Sequence, residues 1–498
     1  MNLTSDPWIP AVCHNGKSML YSLQEMFAQA HELRDLAVKP HERIALMRLL
    51  ICISQAALDG PQDEEDWEDC LQSIQPLVKE YLENRKTKFD LFGDSERFLQ
   101  VSNLKPSKDT DEGNSSTKLD LSLATGNNST LFDNSAGDNR SVSASRAALN
   151  LLTFQCFSPG GRIGVAKWHG KDTLGKGSSN HAPCVSSSML HALLLGDSLL
   201  DTIHLNLLTK AIVGDVYSRF GKPIWDCPPI DAADQSALEN ASSSYLGRLV
   251  PLTRFVCLAE DGNKMLLANG LDYPIFPTYR EATATIIQKK DDYGLMPAST
   301  DRSLWRQLAP VTIRRRSSGD SISGPLALSH EVTFSEVGLW VGALVTDKAK
   351  IEDVVEAQYR IPRSMLDTPG RLAYERGVKY AEIAESILIQ AVKVYASQLE
   401  VLSPAYNKAR QHFWTITEQS LPELFDVARE FTIDEELPES GWGKAVRSAA
   451  LEAYQQSCPR QTPRQIQAYA LGLRRLNAVP KPKIAKNKKG NLYEQNQA

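Results

Sequence analysis

The chain has 498 residues, of which 42% are apolar and 23% are charged, and its formal net charge is −5. This length predicts two to four structural units, at about 100–200 residues per domain. The composition excludes wholesale disorder, a collagen-like repeat and a disulfide-dense scaffold. The net charge gives no global positive field, so any contact with DNA or RNA has to depend on local patches.

The eight cysteines are scattered along the chain, and no two of them form a CxxC pair. This pattern indicates neither a zinc knuckle nor a dithiol redox site, and it is typical of a reducing compartment. The first residues lack the basic-then-apolar order of a signal peptide. The most apolar run, residues 44–58, is too short to span a bilayer. We therefore expect a soluble, cytoplasmic protein with no membrane segment.

The first 103 residues begin with a pattern typical of extended strands, and a pattern typical of helices follows. Asn15-Gly16 is a tight-turn dipeptide. A helix is predicted from Pro40 to Leu58, because proline suits a first helical turn and the apolar residues that follow repeat at helical spacing. An acidic segment, residues 63–66, precedes another helical stretch that ends near Leu82.

Residues 104–143 are rich in Ser, Asn, Asp and Gly and contain few apolar side chains. Such a stretch buries too little surface to offset its ordering entropy, which predicts a flexible loop. Leu131-Phe132 is an apolar pair within it. Two interpretations stay open: a loop pinned to the body of the protein by one aromatic side chain, or a loop that orders on a partner.

A helix predicted over residues 145–157 ends in a glycine turn, residues 158–164. Proline stops the helix there, and three glycines permit close approach of the backbone to another molecule. Residues 210–365 contain short strand candidates separated by turn signals, for example 255–258 and 311–313. This pattern predicts antiparallel sheet and hairpins.

From about Thr368 onwards, apolar residues repeat at the spacing of a helix. This spacing predicts helices near residues 370–399, 404–431, 440–457 and 463–477. Four helices with short connections favour an up-and-down bundle. The predicted fold is therefore α+β, and its parts are a large mixed α/β domain (residues 1–365, with the flexible loop 104–143), a four-helix bundle (366–480) and a basic flexible tail (481–498).

The chain contains no assembled catalytic motif. Residues 170–176 satisfy most of the pattern GxxxxGK[ST], but Gly177 stands where a hydroxyl should hold magnesium, which favours a surface loop over a phosphate cradle. The nine histidines show no paired metal spacing, and there is no GxSxG elbow. We therefore expect a binding subunit without enzymatic activity or cofactor. A P-loop-like nucleotide-hydrolysing enzyme and a purely structural assembly subunit are the alternatives.

Several local features suit contact with DNA: the loop around Phe132, the glycine turn, the hairpin tip Asn263-Lys264 and the arginine run 314–316. A lysine at a hairpin tip is a compact point charge that can reach a groove or a phosphate. Each feature also fits an ordinary solvated surface charge.

Residues 2–10 (NLTSDPWIP) resemble the N-L-x-x-x-x-W-I-P opening of the CasA (Cse-type) family, the large subunit of the type I-E CRISPR Cascade complex. The turn at 15–17, the helix around 44–50, the loop 120–143, the glycine turn and the terminal helices also fall where that family has them. The resemblance implies a protein that cleaves nothing itself. It implies as partners the crRNA-containing Cascade subunits, target double-stranded DNA and a helicase–nuclease effector.

The resemblance further implies that such a subunit reads the protospacer-adjacent motif (PAM) in the minor groove and helps to start strand separation. The residues that match the family's recognition elements are those of a glycine loop (Gly160, Gly161, Arg162), a lysine finger (Asn263, Lys264), a wedge (Thr346, Asp347, Lys348) and a loop towards the guide end and backbone (Phe132, Asp133, Asn134). Lys348 stands where the family's wedge carries glutamine. A lysine gains more from phosphate and less from base edges than glutamine does.

Overall fold

The computed structural model describes residues 1–107, 113–123, 141–161, 163–173, 181–331, 333–347, 350–400 and 405–477. The chain divides into two compact units, Met1–Ile361 and Pro362–Ala498. Helices and strands mix in the first unit and the second is helical, which confirms the predicted α+β class. The domain boundary near residue 365 stays a prediction. No helix in the described ranges is long and apolar enough to cross a lipid bilayer.

The strands belong to small sheets of two or three members. They are β1 (Ile9–Cys13), β2 (Ser18–Tyr21), β3 (Leu33–Leu36), β4 (Lys105–Pro106), β5 (Asn114–Ser115), β6 (Ala166–Trp168), β7 (Lys171–Asp172), β8 (His191–Leu195), β9 (Arg254–Leu258), β10 (Lys264–Asn269), β11 (Ile286–Lys289), β12 (Asp292–Leu295), β13 (Glu336–Asp347) and β14 (Lys350–Pro362). The strand orders are β2-β1-β3, β4-β6-β7, β5-β10-β9, β11-β12 and β14-β13-β8. The hairpins predicted after residue 210 are therefore present, and β9 covers the predicted strand 255–258.

The helices of the first unit include one that is central and buried. They are α1 (Leu23–Ala28), α2 (Pro40–Leu58), α3 (Glu64–Asp69), α4 (Ile74–Asn84), α5 (Ala144–Phe157), α6 (Leu199–Leu205), α7 (Lys210–Val216), α8 (Gln235–Ser243), α9 (Tyr245–Leu249) and α10 (Leu308–Val311). Helix α2 has the predicted bounds, and every residue from Pro40 to Gln55 is buried. It contacts α4, α5, α6, α9 and β13, as expected of a helix that is enclosed on all sides.

A buried ion network fixes α2 to the rest of the first unit. Arg48 is 1% exposed, and its Nη1 lies 2.8 Å from Oε2 of Glu281, whose Oε1 lies 2.6 Å from Nε of Arg248. Arg48 also donates to the carbonyl oxygens of Leu249 and Arg248. Burial alone would raise the pKa of Glu281, but the two guanidinium groups outweigh it, so this pKa lies below its usual value and the carboxylate stays ionised.

The strand predicted over residues 311–313 is wrong. Residues Leu308–Val311 form the short helix α10, and the Thr312 N–H closes its last turn on the Leu308 carbonyl at 3.1 Å. Valine, threonine and isoleucine favour strands only when a partner strand is available. Pro310 has no N–H, which the first turn of a helix does not need.

The second unit consists of helices packed on its first and longest member. They are α11 (Thr368–Gln398), α12 (Tyr406–Glu418), α13 (Leu421–Arg429), α14 (Gly441–Ser457) and α15 (Pro463–Asn477), and α11 contacts the other four. The exact four-helix arrangement is not confirmed, because the stretch predicted at 404–431 contains both α12 and α13. Pro422, in the first turn of α13, explains the break: it lacks an N–H, and its ring would clash with the carbonyl four residues earlier in a continuous helix.

Candidate nucleic-acid interface

The glycine turn begins where α5 ends. Ser158 caps the helix with its N–H bonded to the Phe154 carbonyl at 2.8 Å, and Pro159 cannot continue the helical hydrogen bonds. Gly160 and Gly161 follow and are half-buried. Among the described residues, no atom lies within 4 Å of the point where a methyl group on Gly161 would be. Apart from its two chain neighbours, Gly161 therefore has free space beside its backbone.

Two buried polar side chains hold this turn against the strand pair β9–β10. Gln155, near the end of α5, accepts the Arg254 N–H at 2.9 Å and donates to the Arg254 carbonyl at 2.8 Å. Arg254 then donates through Nη2 to the Pro159 carbonyl at 3.1 Å and through Nη1 to Oδ1 of Asn269 at 3.0 Å. Burial lowers the pKa of Arg254 to about 10. Sequence reasoning did not single out any member of this cluster.

Lys264 occupies the predicted hairpin tip. It is exposed, begins β10 and pairs with Ser115 of β5. The tip is closed by the Gly262 N–H, which donates to the Ala259 carbonyl, and by the Asn263 N–H, which donates to the Asp261 carboxylate at 2.9 Å. The bond from Asn263, with a smaller contribution from Lys264, places the pKa of Asp261 below its usual value. An ionised carboxylate therefore lies close to the lysine.

The glycine turn and Lys264 are carried by opposite ends of the same strand pair. Arg254, which bonds to the turn, is opposite Asn269 at the last residue of β10, and Lys264 is its first residue. Five residue steps at about 3.4 Å correspond to roughly 17 Å along the strand. This is the axial length of about five base pairs of duplex, given 3.4 Å per nucleotide of each strand.

The described part of the predicted wedge lies at the end of strand β13, which pairs with β14. Thr346 and Asp347 end β13, Lys350 begins β14, and Lys348 lies outside the described residues. The Thr346 N–H donates to Oγ of Ser188 at 2.9 Å.

A short connecting segment links this hairpin to the glycine turn. The Ala182 N–H donates to the Ser158 carbonyl at 2.9 Å, while Ser188, six residues later, bonds to Thr346. Six residue steps reach at most about 22 Å, so Ser158 and Thr346 lie on one local framework. The described parts of the predicted glycine loop, lysine finger and wedge are thus joined by short connections.

The sequence also predicted nucleic-acid contacts at other residues. Phe132, Asp133, Asn134 and Arg162 lie outside the described residues. Two members of the arginine run have backbone partners. Arg314 donates to the carbonyl oxygens of Leu328 and His330, and Arg315 donates to those of Asp320 and Ser318, so these two guanidinium groups bind backbone within the first unit.

The nucleotide-binding alternative finds no support in the described part of its motif. Trp168 pairs with Lys171 across a two-residue turn formed by His169 and Gly170, both with positive φ. Gly170 therefore belongs to the turn of the β6–β7 hairpin, whereas a phosphate loop connects a strand to a helix. Residues 174–180 lie outside the described ranges. Among the residues that the structure does describe, no group of three or more His, Cys, Asp or Glu side chains could hold a metal ion.

The comparison with known families decides the relationship that the opening residues predicted. The model of the family described as CRISPR-associated protein Cse1 matches residues 2–453. The chain belongs to this family. It is 28% identical over 491 residues to the CRISPR-associated protein CasA/Cse1 of Thermus thermophilus, and the match covers 91% of each chain.

Solved structures show that the fold is shared along nearly the whole chain. The structure of Thermus thermophilus CasA (Cse1) has a TM-score of 0.72 at 24% identity and covers 96% of this chain and 98% of its own. Cse1 from Acidimicrobium ferrooxidans has a TM-score of 0.74 at 17% identity, with 96% and 97% covered. A chain of a structure described as a CRISPR RNA-guided surveillance complex has a TM-score of 0.70 at 16% identity, with 96% and 99% covered. The family and the α+β fold class predicted from the sequence are confirmed.

Proposed function

We propose that this Cse1-family chain is the non-catalytic large subunit of an RNA-guided CRISPR surveillance complex in the cytoplasm. In this role it recognises the PAM of target double-stranded DNA through the minor groove, promotes initiation of the R-loop and recruits a helicase–nuclease. The family membership and the fold shared with a chain of a surveillance complex support the assembly. They also favour crRNA-containing subunits as its partners. Phe132, Asp133 and Asn134 would then contact the guide end or its backbone.

The observation that carries the proposal is the open glycine turn beside α5, with an exposed lysine at the far end of the strand pair that supports it. The minor groove presents a degenerate pattern in which the amino group of guanine separates G·C from A·T. Backbone without side chains can approach the groove floor, where that amino group either fits or clashes. Such recognition tolerates several related motifs. Lys264 would supply a sequence-independent phosphate contact.

In this proposal, the hairpin β13–β14, whose first strand ends with Thr346 and Asp347, opens the first base pairs of the target. Inserting a wedge costs about a few kcal/mol of stacking per step. The exchange of a DNA duplex for a guide heteroduplex is nearly balanced overall, so assistance at the first pairs has a large effect on the reaction. A subunit can therefore control R-loop formation without performing chemistry. Lys348 would favour nearby phosphate over base-edge hydrogen bonds.

The test is equilibrium binding of the reconstituted complex to duplexes with correct and scrambled flanking motifs. We expect Gly160→Val to bring the Kd for the correct motif close to that for the scrambled one, a loss of roughly 10-fold or more if one base pair is read. Gly214→Val is the matched control. Gly214 is exposed within α7, and no described atom lies within 4 Å of its added methyl group.

Equal binding to both duplexes by the unmodified complex would reject recognition of the motif. It would favour the purely structural assembly role instead. The recruitment step has its own readout, which is degradation of bound target by the added helicase–nuclease. Degradation that proceeds equally without this subunit, at matched target occupancy, would reject recruitment.

A further inference from the structure

Arg254 is a buried cation whose hydrogen bonds join two separate segments of the first unit. Its side chain is 0% exposed. One terminal nitrogen donates to the carbonyl of Pro159, directly before the two glycines, and the other donates to Asn269 at the end of β10. Gln155 fixes both backbone groups of the same arginine. Gln155 therefore ties the end of α5 to β9, and the guanidinium group of Arg254 bonds directly to the turn itself.

Burying a guanidinium group is expensive, and the lowered pKa of Arg254 reflects that desolvation. Burial of an arginine nevertheless fixes local geometry, because its planar guanidinium group has several fixed donors and can hold two acceptors at a set distance and angle. A lysine in its place offers a point charge on a flexible stem, without the fork that holds two acceptors in a fixed geometry.

We propose that Arg254 is a positioning residue for motif recognition: by holding the Pro159 carbonyl against β9–β10, it sets how deeply Gly160 and Gly161 enter the minor groove. This inference rests on the proposed function. The groove is about 6 Å wide, and hydrogen bonds tolerate only about 0.5 Å of variation in length. A small shift of the turn therefore removes discrimination between motifs, while contacts with phosphate, which are longer-ranged, persist.

The experiment compares Arg254→Lys with Arg280→Lys in the full reconstituted complex. Arg280 is a matched control, since it is 9% exposed, donates to the carbonyls of Ser323 and Gly324, and has a pKa that burial likewise lowers to about 10. We expect Arg254→Lys to reduce the ratio of Kd values for scrambled and correct motifs by roughly 10-fold, the order that one base pair provides. We expect Arg280→Lys to leave this ratio unchanged.

A second readout separates positioning from direct contact. Because Arg254 is buried, its substitution should leave the salt dependence of binding unchanged, whereas loss of a phosphate contact lowers the slope of log K against log salt by about 0.9. Asn269→Ala removes the Oδ1 acceptor of the guanidinium group and leaves Arg254 in place. It gives a milder perturbation, for which we expect a smaller loss of discrimination in the same direction.

Three results would overturn the inference: unchanged discrimination in both Arg254→Lys and Asn269→Ala, an equal loss in Arg280→Lys, or a reduced salt slope. Failure of the proposed function gives a different pattern. There, the unmodified complex fails to discriminate between motifs, or Gly160→Val has no effect on discrimination. If Gly160→Val abolishes discrimination while Arg254→Lys and Asn269→Ala both leave it intact, only the positioning role is rejected.

Discussion

Replacing Lys264 with alanine removes an exposed positive charge from the β9–β10 hairpin tip while leaving the turn intact. The tip is closed by backbone bonds and by the Asp261 carboxylate, which accepts the Asn263 N–H. None of these bonds needs the lysine ammonium group. The low pKa of Asp261 keeps its carboxylate ionised near neutral pH, beside the lysine. Lys264→Ala therefore leaves Glu260 and Asp261 as the charges of residues 260–264.

The expected magnitude follows from counterion release. If Lys264 neutralises one phosphate, its loss lowers the slope of log K against log salt by about 0.9. Raising the salt concentration fourfold, from about 50 to about 200 mM, should then shrink the ratio of unmodified to variant affinity by about 3-fold. The reconstituted complex and a labelled duplex suffice for the assay, with Kd measured at four salt concentrations. Asp261→Asn should act in the opposite direction and tighten binding, because it removes a charge that repels phosphate.

Lys290→Ala is the matched control, since Lys290 is an exposed lysine at the tip of another hairpin, β11–β12. Its substitution should leave the slope unchanged. The reasoning fails if Lys264→Ala keeps the full slope, or if Lys290→Ala lowers it by the same amount. In the second case the effect would be one of net charge only, and Lys264 would lose its assignment.

Two further predictions concern stability. Glu281→Gln should lower the free energy of unfolding of the first unit by about 3–5 kcal/mol in urea titrations, since Arg48 and Arg248 then lack a buried counter-charge; an unchanged midpoint would contradict this. The pKa of Glu281 is lower in the folded protein than the unfolded value near 4.5. The stability that its ionised carboxylate contributes is therefore fully present above that value and is lost as the pH falls through the folded pKa. Thermal melts in this acid range should show a fall in melting temperature that Glu281→Gln lacks. In the second unit, a methyl group on Gly443 would clash with the backbone of Leu437 and Pro438, so Gly443→Ala should cost about 1–3 kcal/mol, and an equal or higher melting temperature would refute it.

The elements that could be predicted from sequence are those specified by local signals. Helix α2 has its predicted bounds because Pro40 marks its start and the apolar period is helical throughout. The β9–β10 hairpin was predictable for a similar reason, since an apolar run precedes Gly262 and the polar residues around it. The split of residues 404–431 was also locally encoded, at Pro422, but the apolar period continues across it and hides the break.

What could not be predicted depends on contacts between distant residues. Gln155 and Arg254 are 99 residues apart, and nothing in the sequence around either distinguishes it from an ordinary surface side chain. The partners of the arginine run 314–316 were equally unpredictable from the sequence. Three adjacent arginines suggest a nucleic-acid contact, but Arg314 and Arg315 donate to backbone carbonyls, and only the fold shows which carbonyls are within reach.

The distribution of hydrogen bonds along β9–β10 fits the different demands that the proposed function would place on its two ends. A phosphate contact carries no sequence information and acts over about 8–10 Å at ordinary salt, so a lysine tip can be held loosely by a turn. A groove contact that separates two base pairs must be placed to within a fraction of an ångström. The end beside the glycine turn has the buried Gln155–Arg254–Asn269 cluster, whereas the Lys264 end is closed by turn and strand bonds and by the exposed Asp261 carboxylate. Under the proposed function, the buried side-chain hydrogen bonds therefore lie at the end where reading the motif would require a fixed geometry.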